Sequence, residues 1–374
     1  MDRPRVMFVY QYLTLGGVEA VILSRMKQLR SLGIASQALF FYDLGGRSIF
    51  KALEDDIAVS ADPQEQSKYI SEFKPTHLIT FDTPQIVPIA DQVTRDCRLI
   101  YEVHTIYNDY FLPLKDKDMV KSVDAFFVPS EYQRRIVRDI LDDHARIYVV
   151  PNGLQEDFLK PIKPPSPVAH RPIVIWIGRL DSTKNWRGFL AAGQRIASER
   201  MGVALWLVGG LNSPHEEQYQ LWSLAKKKRL TKNLRWFPSV EHKDMPAVYQ
   251  YVAASGGCLL STSLRESFGV AVLEGMACGC PVVVPEASAL VDLVNHDETG
   301  LLYRSGNYKA ASKEILRLLD DQAFHDKVAQ EGILYARKYS PESVTAQFLE
   351  TLSSLDPTKT NEDEPRSALN GETQ

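Results

Sequence analysis

Two doubly wound α/β domains in tandem, each built on a parallel sheet, are what this 374-residue sequence predicts, and three observations predict them. Short runs rich in β-branched and aromatic residues alternate with helix-length segments, the rhythm of parallel strands joined by crossover helices. A proline-dense stretch, "KPIKPPSPVAHRP" (160–172), interrupts that rhythm. The rhythm then restarts, in a chain longer than one core usually serves.

The first cycle is the clearest. "RVMFVYQYL" (5–13) reads as a strand, "GGVEAVILSRMKQLRSLG" (16–33) as a glycine turn and an amphipathic helix, and "ASQALFFY" (35–42) as the next strand. Further strands are expected at 76–81, 97–103, 124–129 and 146–151, which gives an N-terminal Rossmann-like domain over 1–160. Proline fixes φ and has no amide hydrogen to donate, so 161–171 is expected to be an extended linker. Strands at 173–180, 203–210, 233–240, 256–262 and 281–285 build a second Rossmann-like domain over 172–338, closed by helical patterns at 307–320 and 322–338. "SPESVTAQFLETLSSL" (340–355) opens with a Ser-Pro-Glu helix start, and the segment 339–355 is expected to pack back toward the first domain. Residues 356–374 lack apolar content and are expected to form a disordered tail.

Charge excludes some partners. The formal net charge is -4, and the first 160 residues carry 19 Lys+Arg against 23 Asp+Glu, which argues against nucleic acid and against a broadly basic membrane-docking half. The helix at 17–32 has Arg25, Lys27 and Arg30, a modest basic face that is either solvated or in peripheral contact with a membrane surface. Four cysteines without a CxxC pair give neither a disulfide framework nor a zinc site, and Cys278 and Cys280 read as small buried hydrophobes. The start of the chain shows no signal-peptide architecture, and no uninterrupted apolar stretch approaches the roughly 20 residues of a membrane span. A cytoplasmic protein, at most peripheral at the inner face of the membrane, is the expectation.

Open parallel sheets bind ligands where strand ends lead into helices, and four such loops stand out. Gly16-Gly17 precede a helix and let its N-terminal amides approach an anion, although a plain tight turn is as good a reading. "GRLDSTKN" (178–185) places Arg179 and Lys184 five residues apart, where two cations can converge on a diphosphate or stand as solvated surface charges. "LVGG" (207–210) ends a strand with two glycines, permitting close approach of a flat base or an ordinary turn. In "RESFGVAVLEGMACG" (265–279), Glu266 and Glu274 flank seven uncharged residues at a helix start near Phe268, Gly269 and Val270. Carboxylates beside a diphosphate would repel it, so they must aim elsewhere. A nucleotide diphospho-sugar resolves the conflict: one carboxylate takes sugar hydroxyls, the other the ribose diol, and the amides between them face the phosphates. A neighbourly charge at a helix N-terminus is the plainer alternative for each glutamate.

At these residues the sequence resembles the family-4 retaining glycosyltransferases of the GT-B fold, the glycosyl transferases group 1, over about 1–355. The pieces occur in order: Gly16-Gly17-Val18-Glu19, Pro151-Asn152-Gly153, Gly178-Arg179-Leu180 through Lys184, Gly209-Gly210, and Glu266-Ser267-Phe268-Gly269 through Glu274-Gly275. The resemblance implies two Rossmann-like domains facing each other across a cleft. It implies that Arg179 and Lys184 neutralise the diphosphate, that Glu266 contacts the donor sugar, that Gly178 and the amides of Phe268, Gly269 and Val270 meet sugar and phosphate, and that Glu274 holds the ribose diol. Gly17 would border both the donor phosphate and the acceptor, Gly16 would lie on the acceptor side, and the backbone near Ser239 and Val240 would meet the base. His104, after "LIYEV", would orient the donor sugar or receive the acceptor hydroxyl, unless it is only a packed strand-end histidine. Tyr107 and Tyr110 are candidates for stacking on the acceptor.

Two departures from the family pattern are evident. Leu154-Gln155 follow Pro-Asn-Gly where Val-Asp is common, and Ser288-Ala289 stand where a glycine pair is common. The implied activity is transfer of a hexosyl group from a nucleotide diphospho-sugar to a hydroxyl of a glycan, lipid-linked or small-molecule acceptor, with retention and with no cofactor or metal. Asp116-Lys117-Asp118 lies in a charged helical stretch and reads as solvated. A GT-B sugar-nucleotide epimerase and a non-catalytic nucleotide-sugar-binding protein are the competing readings.

Overall fold

A computed structural model describes residues 3–14, 16–93, 97–105, 108–141, 143–160 and 171–355, without the side chains of 108–110. Seven strands, β1 (Arg5–Leu13), β2 (Ala35–Asp43), β3 (Ile57–Val59), β4 (His77–Phe81), β5 (Arg98–Glu102), β6 (Ala125–Val128) and β7 (Ile147–Val149), form one parallel sheet in the order β3-β2-β1-β4-β5-β6-β7. Six more, β8 (Ile173–Ile177), β9 (Ala204–Val208), β10 (Leu234–Phe237), β11 (Cys258–Leu260), β12 (Val282–Pro285) and β13 (Leu301–Tyr303), form a second in the order β10-β9-β8-β11-β12-β13. Both orders reverse next to the first strand, at β1/β4 and β8/β11, the switch point outside which such sheets open a crevice for ligands. The two-sheet expectation holds, and β3 and β13 add one short strand at the edge of each sheet.

The alternation along each strand explains the layers. In β1, Val6 and Phe8 face the helix Gly17–Ser31, while Met7 and Val9 face the helix Pro63–Phe73 on the other side. In β8, Val174 and Trp176 pack against the helix Trp186–Glu199, and Ile173 and Ile175 against Tyr249 and Leu273. Four apolar clusters, two per sheet, result.

The expected limit of the first domain at residue 160 needs correction. Leu154 and Phe158 are buried in the second domain's core, and Leu154 N donates to Tyr339 O at 2.8 Å, so the chain crosses before Leu154. It returns after Tyr339: in the helix Pro341–Leu355, Phe348, Leu352 and Leu355 enter the core of the first sheet. Most of the linker call at 161–171 and the whole tail call at 356–374 lie outside the described residues.

The domains also touch directly. Ser130 Oγ donates to Ser267 O at 2.7 Å, Tyr132 N donates to Asp292 Oδ2 at 2.7 Å, and Arg135 reaches Asp292 Oδ1 at 3.3 Å. Asp292 therefore has work at the interface. Asp292 caps the first turn of the helix Glu131–Ile140 from the opposite domain.

Candidate active site

The loop after β8 and the loop after β11 are stitched together. Leu264 N donates to Thr183 O at 2.8 Å, Asn185 Nδ2 donates to Thr262 O at 3.1 Å, and Asp181 Oδ1 accepts from Lys184 N at 2.7 Å. That framework delivers Lys184 Nζ to Glu266 Oε1 at 2.6 Å, with the two side chains 23% and 16% exposed. Ser263 Oγ donates to the same oxygen at 2.6 Å. Glu266 Oε2 accepts nothing among the described residues, so both contacts fall on one carboxylate oxygen.

Below this pair starts the helix Val270–Ala277. Its N-cap is Gly269 at φ +99, a conformation L side chains rarely adopt, and no side chain caps the helix. The helix thus begins with uncapped amides and a partial positive charge. Phe268 is buried behind it and Val270 is partly exposed. Lys184, Glu266 and Gly269 line a cavity of about 30 Å³ together with Ile177 and Ser261. A larger cavity of about 280 Å³, lined by Ser130, Phe268, Asp292 and Tyr339, lies where the chain crosses between domains and does not include Lys184 or Glu266.

Arg179 lies on the same loop, its Nε donating to Asp181 Oδ2 at 2.9 Å and its side chain largely exposed. Gly178 donates its N–H to Val208 O at 3.0 Å at the end of β8. The glycine pair after β9 serves this loop: Gly209 has φ +107, and a Cβ there would stand 2.4 Å from Gly178 O. The close approach at "LVGG" is to backbone.

Glu274 lies one turn into the helix and is buried. His242 Nε2 stands 2.7 Å from its Oε1, and Tyr249 Oη donates to its Oε2 at 3.2 Å. Val240 lies two residues before His242, in the loop after β10. The hydrogen bond with Glu274 raises the His242 pKa, against the lowering effect of burial. Burial, and then the Glu274 charge, push the Cys278 thiol up to about 12, and burial alone takes Cys258 to about 12, so neither is a thiolate nucleophile.

Because the folded pKa of His242 exceeds the unfolded value of about 6.5, its contribution to stability is complete below that value and is lost as pH rises through the folded one. His242→Ala is therefore expected to lower Tm more at pH 5.5 than at pH 9. A deficit that does not change with pH would contradict the pairing.

On the first-domain side, Gly16 precedes the helix Gly17–Ser31, and Glu19 Oε1 accepts from Thr14 N at 2.6 Å and from its hydroxyl. His104 follows β5; its Nε2 is 2.7 Å from Glu102 Oε1, and its backbone N–H reaches both oxygens of Asp82 at 3.2 Å. Tyr107 and the Tyr110 side chain lie outside the described residues.

The basic face expected on the helix at 17–32 needs correction. Arg25 is buried at 4% exposure and forms a two-point ion pair with Glu102, and Arg30 donates to Ala52 O. The apolar neighbours Ile22, Met26 and Leu29 carry Arg25 into the core, because i, i+3 and i+4 share a helix face. Among the described residues no helix is long and apolar enough to cross a membrane, and no group of His, Cys, Asp and Glu has metal-binding geometry.

With this geometry in hand, comparison with known proteins gives the class. Residues 160–336 match the family model described as glycosyl transferases group 1. The O-antigen chain mannosyltransferase B of Escherichia coli is 30% identical over 183 residues, which are 49% of this chain and 46% of that protein. The D-inositol 3-phosphate glycosyltransferase of Corynebacterium efficiens is 24% identical over 181 residues, 48% of this chain and 42% of that one. The chain's match thus spans less than half the length of each of these curated relatives. Among solved structures, HepE of Anabaena in complex with UDP superposes with a TM-score of 0.80 at 18% identity, covering 94% of this chain and 100% of that one.

The fold is GT-B, two Rossmann-like domains across a cleft. The segment 160–336 is similar to the glycosyl transferases group 1 model, and Lys184, Glu266 and the uncapped helix all lie within it.

Proposed function

We propose that this protein is a retaining glycosyltransferase that moves a hexosyl group from a nucleotide diphospho-sugar to a hydroxyl of a glycan, lipid-linked or small-molecule acceptor. The observation that carries the reading is the Lys184–Glu266 contact of 2.6 Å beside a helix start that no side chain caps. A cation, a hydroxyl acceptor and open amides at one point match a ligand with charge next to hydroxyls. The relatives' names agree: a mannosyltransferase in one case, and in another a fold whose solved form holds UDP.

In this reading the bond from the anomeric carbon to the diphosphate oxygen breaks, and its electron pair leaves with the diphosphate. Lys184, Arg179 and the helix N-terminus stabilise that growing charge. The acceptor oxygen bonds to the anomeric carbon from the same face, and its proton passes to the departing phosphate oxygen. Retaining hydrolases use a carboxylate nucleophile instead. Glu266 suits that role poorly, because the Lys184 ammonium at 2.6 Å neutralises the carboxylate and so weakens either oxygen as a nucleophile. Glu274 would take the ribose diol in place of His242 or beside it, Val240 and its backbone would meet the base, and Gly16 and Gly17 would lie toward the acceptor. The positive charge comes from the protein itself, so no metal is required, and a cytoplasmic location gives access to nucleotide sugars.

The test is a panel of UDP-, GDP-, ADP- and dTDP-sugars, read by thermal stabilisation and by slow hydrolysis of the donor. One donor should raise Tm and be hydrolysed, with no loss on adding EDTA. Binding without hydrolysis or transfer would favour a sensor, an altered free sugar nucleotide an epimerase, and recovery of a chelated enzyme by Mn²⁺ would overturn metal independence.

A further inference from the structure

The described residues contain a second ionic cluster, buried in the first domain, that the reading above does not use. Arg25, from the helix Gly17–Ser31, grips Glu102 at the end of β5 with Nη1–Oε2 at 2.5 Å and Nη2–Oε1 at 2.9 Å. Glu102 is fully buried, and the guanidinium lies 4.9 Å from the ring of Phe348, on the returning C-terminal helix, and 5.7 Å from that of Phe81. Burial alone would raise the Glu102 pKa; the Arg25 charge and then the contact with His104 outweigh it and bring it to about 2. A carboxylate kept ionised accepts only, so the His104 nitrogen beside it must be the donor.

From this geometry we infer that Arg25 and Glu102 are positioning residues for His104: they fix the ring proton on Nε2 and leave Nδ1 as the hydrogen-bond acceptor presented to the cleft. Several observations converge on this. Nε2 is engaged at 2.7 Å, whereas Nδ1 has no hydrogen bond among the described residues, and the side chain keeps 7% of its surface exposed. The ring is packed 5.2 Å from Phe81, and the His104 backbone is tied to Asp82, so neither ring nor chain is free to turn. A surface salt bridge would not need two aromatic covers and an arginine fork; a tautomer lock in a dry site does. The atom so presented would accept a hydroxyl of the sugar or of the acceptor, which narrows the role of His104 to one nitrogen. The inference rests on the glycosyltransferase reading for the identity of that hydroxyl, but not for the tautomer.

The experiment uses the full chain with ¹⁵N-labelled histidine. Arg25→Met/Glu102→Leu removes both charges together and keeps the volume apolar, a replacement that buried ion pairs often tolerate. At pH 8.5, with Asp82 as the remaining ionisable neighbour, wild type is expected to show a single His104 tautomer, protonated on Nε2, and the double variant a mixture or the reverse. A wild-type ring protonated on Nδ1, or the same tautomer in both proteins, overturns the inference. In parallel, hydrolysis of UDP-glucose and GDP-mannose is followed with and without acceptor screening. The double variant should lose about tenfold or more in kcat with KM changed less than threefold. Unchanged kcat overturns the positioning role alone. A wild type that turns over no donor overturns the proposed function, and the tautomer measurement still decides whether the lock exists.

Discussion

Replacing Lys184 with alanine is expected to lower turnover of the cognate nucleotide sugar by about 10²–10³-fold, the usual cost of removing one preorganised donor from a developing oxyanion. In the proposed reaction the lysine would have two duties. Its ammonium would stabilise the leaving diphosphate, and at 2.6 Å it also neutralises Glu266. Removing it takes away a positive charge and exposes a negative one in the same place, so the loss should exceed that of a lone cation. The backbone of the loop should survive, because Asp181 holds Lys184 through its amide and Asn185 is tied to Thr262. Tm should therefore move little while kcat falls. Glu266→Gln keeps the shape and the contact with Ser263 but removes the charge, and is expected to show a rise in KM alongside a smaller fall in kcat. Lys184→Ala with kcat within threefold of wild type would remove the central argument for this site.

Why are these candidate residues legible in the sequence, and the partners of His104 not? Glu266, Gly269 and Lys184 sit in loops, where glycine and charge are the only reasons for a residue choice and stand out against the apolar strands on either side. Glu274 was readable by spacing, but its partners were not: His242 and Tyr249 come from a different loop and helix and carry no local signal of the pairing. Arg25 did leave a trace. It falls with Ile22, Met26 and Leu29 on the apolar face of its helix, a position where a charge needs a buried partner. The run "LIYEVH" likewise sets Glu102 in line with buried Ile100, on one face of a central strand. Reading each charge by its place in the period, instead of counting basic residues, would have separated Arg25 from a membrane-facing surface.

The fold was legible for a related reason. Long apolar runs such as β1 and β2 declare themselves, while β3 and β13, three residues each at a sheet edge, are too short for alternation to show. The crossing point was misplaced because prolines mark the end of a linker better than its beginning. Leu154 and Phe158 look like the last residues of one domain in sequence and are core residues of the other in space. Ser288, where glycine is common in the family, adopts φ +54 and gives its hydroxyl to accept from Glu266 N at 3.0 Å. The departure is thus compatible with the loop it supports.

Arg25→Met alone is expected to be among the most destabilising substitutions in the first domain. It leaves Glu102, with no exposed surface, facing an apolar side chain, and breaking a buried pair from one side typically costs about 3–5 kcal/mol. For a domain of this size that is a fall in Tm of roughly 6–20 °C. The pH dependence fixes the cause. In wild type the folded Glu102 pKa is depressed to about 2, so its stabilisation is present above the unfolded value near 4.3 and is lost only as pH falls through about 2. Without Arg25 the balance swings toward burial, which raises the pKa, and the neutral acid then fits the apolar surroundings better than the carboxylate does. The deficit of Arg25→Met should consequently be largest at neutral pH and shrink as pH falls toward 5, whereas the small deficit from a lost surface salt bridge would stay flat until pH approaches the ordinary carboxylate range of about 4. Adding Glu102→Leu should recover most of the deficit at neutral pH, since no charge is left behind in the core. Thermal melts of the two variants between pH 5 and 8 measure both effects, and a single variant as stable as the double one would mean that Glu102 is not held as a buried charge at all.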